Sequence, residues 1–111
     1  MLPVRPYANI EWGSVIYDTH EDLDVTNAAA VGLTAATLDT KHVGIVIRNE
    51  GATVRYRFGS TDPVTSQGTG TILFDTEWIT LNYAQAKAFR VIADSATSSK
   101  LRVDFFKGTH S

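Results

Sequence analysis

The side chains whose types could bind a metal ion or move a proton are three histidines, His20, His42 and His110, and four carboxylates within seven residues, Asp18, Glu21, Asp22 and Asp24. No two histidines stand at a zinc-ligand spacing with another ligand. The acidic run lacks the glycine and the closing glutamate that an EF-hand calcium loop places at its sixth and twelfth positions. His42, at the start of a strand, and His110, near the end of the chain, are therefore expected to be solvated or edge residues, and the acidic run a solvated turn. A further reading of the run is that it meets arginines of an adjacent subunit. No metal and no cofactor are expected.

Other chemistry is equally unprovided for. The chain has no cysteine, which removes thiol nucleophiles, thiolate zinc sites and disulfides together. No Gly-x-Ser-x-Gly elbow occurs, and Gly68-Thr69-Gly70 is followed by neither a lysine nor a helix, so it is not a phosphate-binding loop. These absences predict a protein that is not an enzyme. Function then has to come from surfaces, and the candidates are aromatic and arginine side chains.

The aromatic candidates lie mainly in the first 27 residues, where Pro3 and Pro6 favour extended backbone and where Leu2, Tyr7, Ile10, Trp12 and Tyr17 supply more apolar surface than a free tail carries. This segment, 1–27, reads as an arm that docks on its own domain or on a neighbouring subunit. The rest of the chain, 28–111, reads as one β domain. At 111 residues such a domain can bury a core without staples.

Short β-type runs at 43–49, 53–58, 71–74, 77–82, 88–93 and 100–106 are separated by Gly, Ser, Thr and Asp clusters, with a weaker strand over 28–33. In 53–58, Val54, Tyr56 and Phe58 alternate with Arg55 and Arg57, the pattern of a half-buried strand. The spacing predicts an antiparallel hairpin of 43–49 with 53–58, and a second of 88–93 with 100–106. The two units share a strand, a polar turn and a strand holding an arginine between apolar residues. That likeness is either the ordinary grammar of alternation or two related hairpins packed face to face. Between them, 59–70 reads as a long turn-rich loop and 83–87 as a single helical turn. The expected fold is all-β, a small antiparallel β-sandwich, jelly-roll-like or Ig-like, with an extended N-terminal arm.

Arg48, Arg55, Arg57, Arg90 and Arg102 fall on the non-core faces of these strands. They either keep a sheet face soluble or form an interface, where arginine and aromatic residues are enriched. The net charge of −2 and isoelectric point near 5.8 provide no basic face for nucleic acid. No apolar run approaches the ~20 residues of a membrane span, and the first residues lack the pattern of a signal peptide. The sequence is expected to give a soluble product made in the cytosol, with no membrane partner.

The run from Val54 to Gly68 (VRYRFGSTDPVTSQG), a following hydrophobic strand, Ala88-Phe89-Arg90-Val91-Ile92-Ala93 and a closing Leu101-Arg102-Val103-Asp104-Phe105 together resemble small β-sandwich virion proteins of tailed bacteriophages. The resemblance covers about half of the chain, from Val43 to Phe106. It implies a structural role as a capsid decoration, fibre, spike-base or tail accessory protein located in the virion, working as a homo-oligomer, commonly a trimer, against major capsid or tail proteins. Leu2, Tyr7, Ile10, Trp12 and Tyr17 would then be arm contacts and the strand arginines secondary contacts. The competing expectation is a tail- or fibre-associated adaptor or glycan-binding module that uses the 59–70 loop and an aromatic platform such as Trp12 or Trp78.

Overall fold

The computed structural model describes the backbone of residues 5–6 and all of residues 14–33, 38–59 and 69–108. Among the described residues eight strands and one helix follow in the order β1 (Arg5–Pro6), β2 (Val15–Val25), β3 (His42–Gly51), β4 (Val54–Phe58), β5 (Thr71–Leu73), β6 (Trp78–Leu81), α1 (Tyr83–Ala88), β7 (Phe89–Ala93) and β8 (Ser99–Gly108). They form two sheets, one of five strands ordered β1-β6-β3-β8-β2 and one of three ordered β5-β4-β7. Every pairing is antiparallel except that of β1 with β6. The sheets pack as a small sandwich, the all-β architecture expected from the alternation.

The core follows directly from that alternation. From the larger sheet Ile45 and Ile47, Ile79 and Leu81, and Leu101, Val103 and Phe105 point inward at every second position, and Val25 joins them from β2. Val54, Tyr56, Leu73, Phe89, Val91 and Ala93 meet them from the smaller sheet. Tyr56 and Phe89 lie 5.6 Å apart, ring to ring, and half-buried Phe58 closes the group. Each buried aliphatic or aromatic side chain contributes roughly 1.5–3 kcal/mol relative to exposure, so truncating Phe105 at the centre would cost about 3–5 kcal/mol.

Both expected hairpins are corrected. β3 pairs with β6 and β8, whereas β4 pairs with β5 and β7, so the connection 51–54 leaves one sheet and enters the other. The connection from β7 to β8 does the same. Alternation states which side chains face a core, and a corner between layers satisfies it as well as a hairpin does. What decides is the turn: Gly51 has φ +142°, and a Cβ there would lie 3.0 Å from the Ser99 hydroxyl. The likeness of the two units survives as two corners, paired β3 with β8 in one layer and β4 with β7 in the other.

Three crossings meet at one end of the sandwich, and Asn49 ties them. Its side-chain amide donates to the carbonyls of Ala52 (2.9 Å) and Leu73 (3.0 Å), while its side-chain oxygen accepts from the Ser99 hydroxyl. Its backbone donates to Glu77 and accepts from Thr76. The residue is fully buried, and no described buried side-chain polar atom is left without a partner. Sequence reading takes Asn49 as the last residue of its strand, where a turn begins, and assigns it no such role.

Two other expectations change. Val15–Val25, assigned to the arm, is an 11-residue strand at the edge of the larger sheet, paired along its length with β8. Its alternation is masked because an edge strand keeps polar residues on both faces. Over 28–33 the backbone makes a single bridge, Val31 to Val91, in place of a strand. The helical turn at 83–87 is present as α1, closed by a capping box between Asn82 and Gln85. Most of the 59–70 loop, and the start of the arm apart from the backbone of β1, lie outside the described residues.

Candidate functional site

Two regions of the surface carry more than solvated side chains. The first is the end of the larger sheet where β2 and β3 begin and β8 ends. Ile16, Tyr17 and Val43 are 48, 53 and 43% exposed there. Tyr17 packs edge-on against Phe106 at 5.9 Å, and its hydroxyl is 3.2 Å from His20 Nδ1. The cause is a pair of irregularities on either side of β8, between Tyr17 and Thr19 in β2 and between His42 and Gly44 in β3. A bulge turns one side chain out of register; here that exposes Val43, which alternation had placed in the core, and frees Asp18 to turn aside.

Asp18 reaches His42. His42 Nε2 and Asp18 Oδ2 are 2.7 Å apart, and His42 Nδ1 accepts from the Asp39 backbone N–H at 3.0 Å, so Nε2 is the donor. His42 is buried and stacks on Phe105 at 5.0 Å, contrary to its expected place as a solvated edge residue. The hydrogen bond from His42 holds the Asp18 carboxyl below its ordinary value, burial opposes this, and Lys41 and Lys107, 3.7 and 3.9 Å away, add to the lowering. Both ring nitrogens of His42 are engaged, Nδ1 by the backbone of Asp39 and Nε2 by Asp18. The pair pins the bulge.

The second region is the outer face of the larger sheet. Trp78 stands opposite Arg48, and Arg48 opposite Arg102, while Val46 lies between Thr80 and Asp104. Val46, Arg48, Trp78, Arg102 and Asp104 line an open depression of about 540 Å³, with Glu50 and Thr76 at its sides. Arg102 donates to Glu50 at 3.0 Å and to Asp22 at 2.8 Å, and Arg48 stands 4.0 Å from Glu50. The Arg102 bond holds Asp22 below its ordinary value, and Asp22, then Glu50, raises Arg102 in return. The acidic run is therefore a strand whose Asp22 and Asp24 meet Arg102 and Lys100 of the same chain, not a solvated turn.

The five strand arginines divide between opposite faces. Arg48 and Arg102 share the outer face of the larger sheet. Arg55, Arg57 and Arg90 lie on the smaller sheet, where Arg55 is bound to Asp94 and Arg90 donates to the Ala30 carbonyl at 3.0 Å. Arg57 and Arg90 are directly opposed in the ladder. Tyr17 of the proposed arm contacts is exposed on β2; the side chains of Leu2, Tyr7, Ile10, Trp12 and His110 lie outside the described residues. Among the described residues no cluster of three or more potential ligands could hold a metal ion, and no helix is long and apolar enough to cross a membrane.

Comparison with protein-family models, with curated proteins and with solved structures finds no match to the chain. Sequence reasoning missed Asn49 and Asp104, and it singled out Asp18 as one of a run of carboxylates without its pairing to His42. Asp104 had a signal, as the carboxylate facing outward between Val103 and Phe105; the bulges had none.

Proposed function

We propose that the chain is a non-enzymatic structural protein of a tailed-bacteriophage virion, a capsid decoration or cement protein that binds and stabilises the particle surface as an oligomer. The observation that supports this reading is the exposed apolar residues at one end of the larger sheet, Ile16 and Tyr17 on the edge strand β2 next to the leading segment and Val43 on β3, with Tyr17 packed against Phe106. Exposed apolar side chains on a small domain favour association, because covering them removes area from water at ~25 cal/mol per Å². The edge is shaped for selective contact, since its bulge and its internally paired carboxylates disfavour indiscriminate strand addition. The major partners in this reading are further copies of the chain, a trimer foremost, and a capsid protein.

Light scattering of the full chain tests the reading. An oligomer that becomes monomeric in the double variant Ile16→Ser, Tyr17→Ser, with the melting transition retained, is the expected result. A protein that is monomeric at all accessible concentrations and does not sediment with phage capsids overturns it.

A further inference from the structure

We propose that the depression on the outer face of the larger sheet is a binding site for a neutral saccharide, with Trp78 as its platform. The site stands independently of the assembly reading.

Trp78 is held on this face because Ile79 and Leu81, its neighbours in alternation, are fully buried in the core. The indole is half-buried and stands opposite Arg48 of β3, with Arg102, Asp104 and Glu50 lining the same depression, so one apolar ring shares it with charged, hydrogen-bonding groups. A pyranose ring presents that combination in reverse, with a C–H face of slight positive character that suits the negative face of an indole, and a rim of hydroxyls that both donate and accept. The volume of about 540 Å³ lies within the ~300–1,000 Å³ range of small-molecule sites.

The charges decide against other ligands. Arg102 is held between Glu50 and Asp22 and Arg48 stands beside Glu50, so the cations are already neutralised by carboxylates of the same face. The lining, with Asp104 added, has no excess positive charge to attract a phosphate or sulfate. No metal-ligating cluster is present among the described residues. The ion pairs instead make a fixed frame of donors and acceptors, which suits hydroxyls.

Asp104 supplies the free group. Among the described residues its side chain makes no hydrogen bond and no ion pair, although it is half-buried between Val46 of β3 and His20 of β2 in the ladders; its carboxylate is open to a pair of hydroxyls. Thr76 gives an independent sign. It is the one non-glycine residue with positive φ among the described residues (φ 70°), and it sits at the rim of the depression with its N–H bound to the Asn49 carbonyl at 2.8 Å. Left-handed backbone at a β-branched residue persists only where the surroundings over-determine it, and such positions gather at ligand sites.

The test is an array of neutral hexose and N-acetylhexosamine oligosaccharides, alongside sulfated and phosphorylated glycans and an arginine-rich peptide, followed by calorimetric titration of each hit. Binding of a neutral oligosaccharide, weakened at least tenfold by Trp78→Ala and by the near-isosteric Asp104→Asn, is expected. Asp104→Asn should melt as the parent does, so its loss of binding reads the site and not the fold. Retention of no neutral oligosaccharide, binding confined to the anionic glycans or the peptide, or hits that both variants hold equally well, each overturns the proposal.

Discussion

Asp18 shows how far one bulged residue reaches. The carboxylate lies below its ordinary value of 3.8 through the His42 hydrogen bond first, then, against the cost of burial, through Lys41, His42 and Lys107. Asp22 and Asp39 are lowered as well, by the Arg102 side chain and by the Lys41 backbone N–H respectively. A group whose folded value is depressed binds fewer protons folded than unfolded, so its contribution is complete above the unfolded value, about pH 4, and is lost as pH falls through the folded value. Thermal midpoints between pH 6 and pH 2 should therefore fall more steeply below about pH 4 in the parent than in Asp18→Asn, which starts lower and changes less. Parallel profiles would refute the assignment. The type of each residue was readable in the chain, but this pairing was not: His42 and Asp18 are 24 positions apart, and neither bulge leaves a mark in the alternation.

At the scale of elements, the strands were legible and their partners were not. Val54, Tyr56 and Phe58, or Leu101, Val103 and Phe105, announce which face is apolar; a two-layer core uses that information identically whether the next strand lies beside or across. The corners are fixed by buried polar groups, which pattern reading assigns to turns because asparagine and glycine favour turns. Asn49→Ala removes donors to two carbonyls and an acceptor for Ser99 inside a fully buried site. Each group left unsatisfied costs roughly 1–3 kcal/mol, so urea unfolding should show a loss of about 3 kcal/mol or more. A loss under about 1 kcal/mol would mean that the three crossings hold without their common tie. The outer-face depression was legible in half: Trp78 was a visible aromatic platform, whereas its companions on β3 and β8 come from distant segments brought together by sheet order.

For the whole molecule, the order β1-β6-β3-β8-β2 matters most. Val15–Val25 belongs to the body of the domain through its pairing with β8, so in the proposed assembly the leading residues and the exposed side chains around Tyr17 are what it offers to a second copy. It also makes the sheet depend on β8, which separates β2 from β3 and pairs with both along most of its length. A chain stopped after residue 98 should lack cooperative melting, and a synthetic peptide of residues 99–108 should restore it. A stopped chain that still melts sharply would contradict this dependence. Pairings across such separations of sequence place folding in the millisecond-to-second range.

The position of β8 has a consequence for biosynthesis. Until Ser99–Gly108 has cleared the ribosome, the strands on either side of its place hold unshared amides and half of an interior. Such unpaired edges and exposed apolar surface make an incomplete chain prone to aggregate until those ten residues close the sheet.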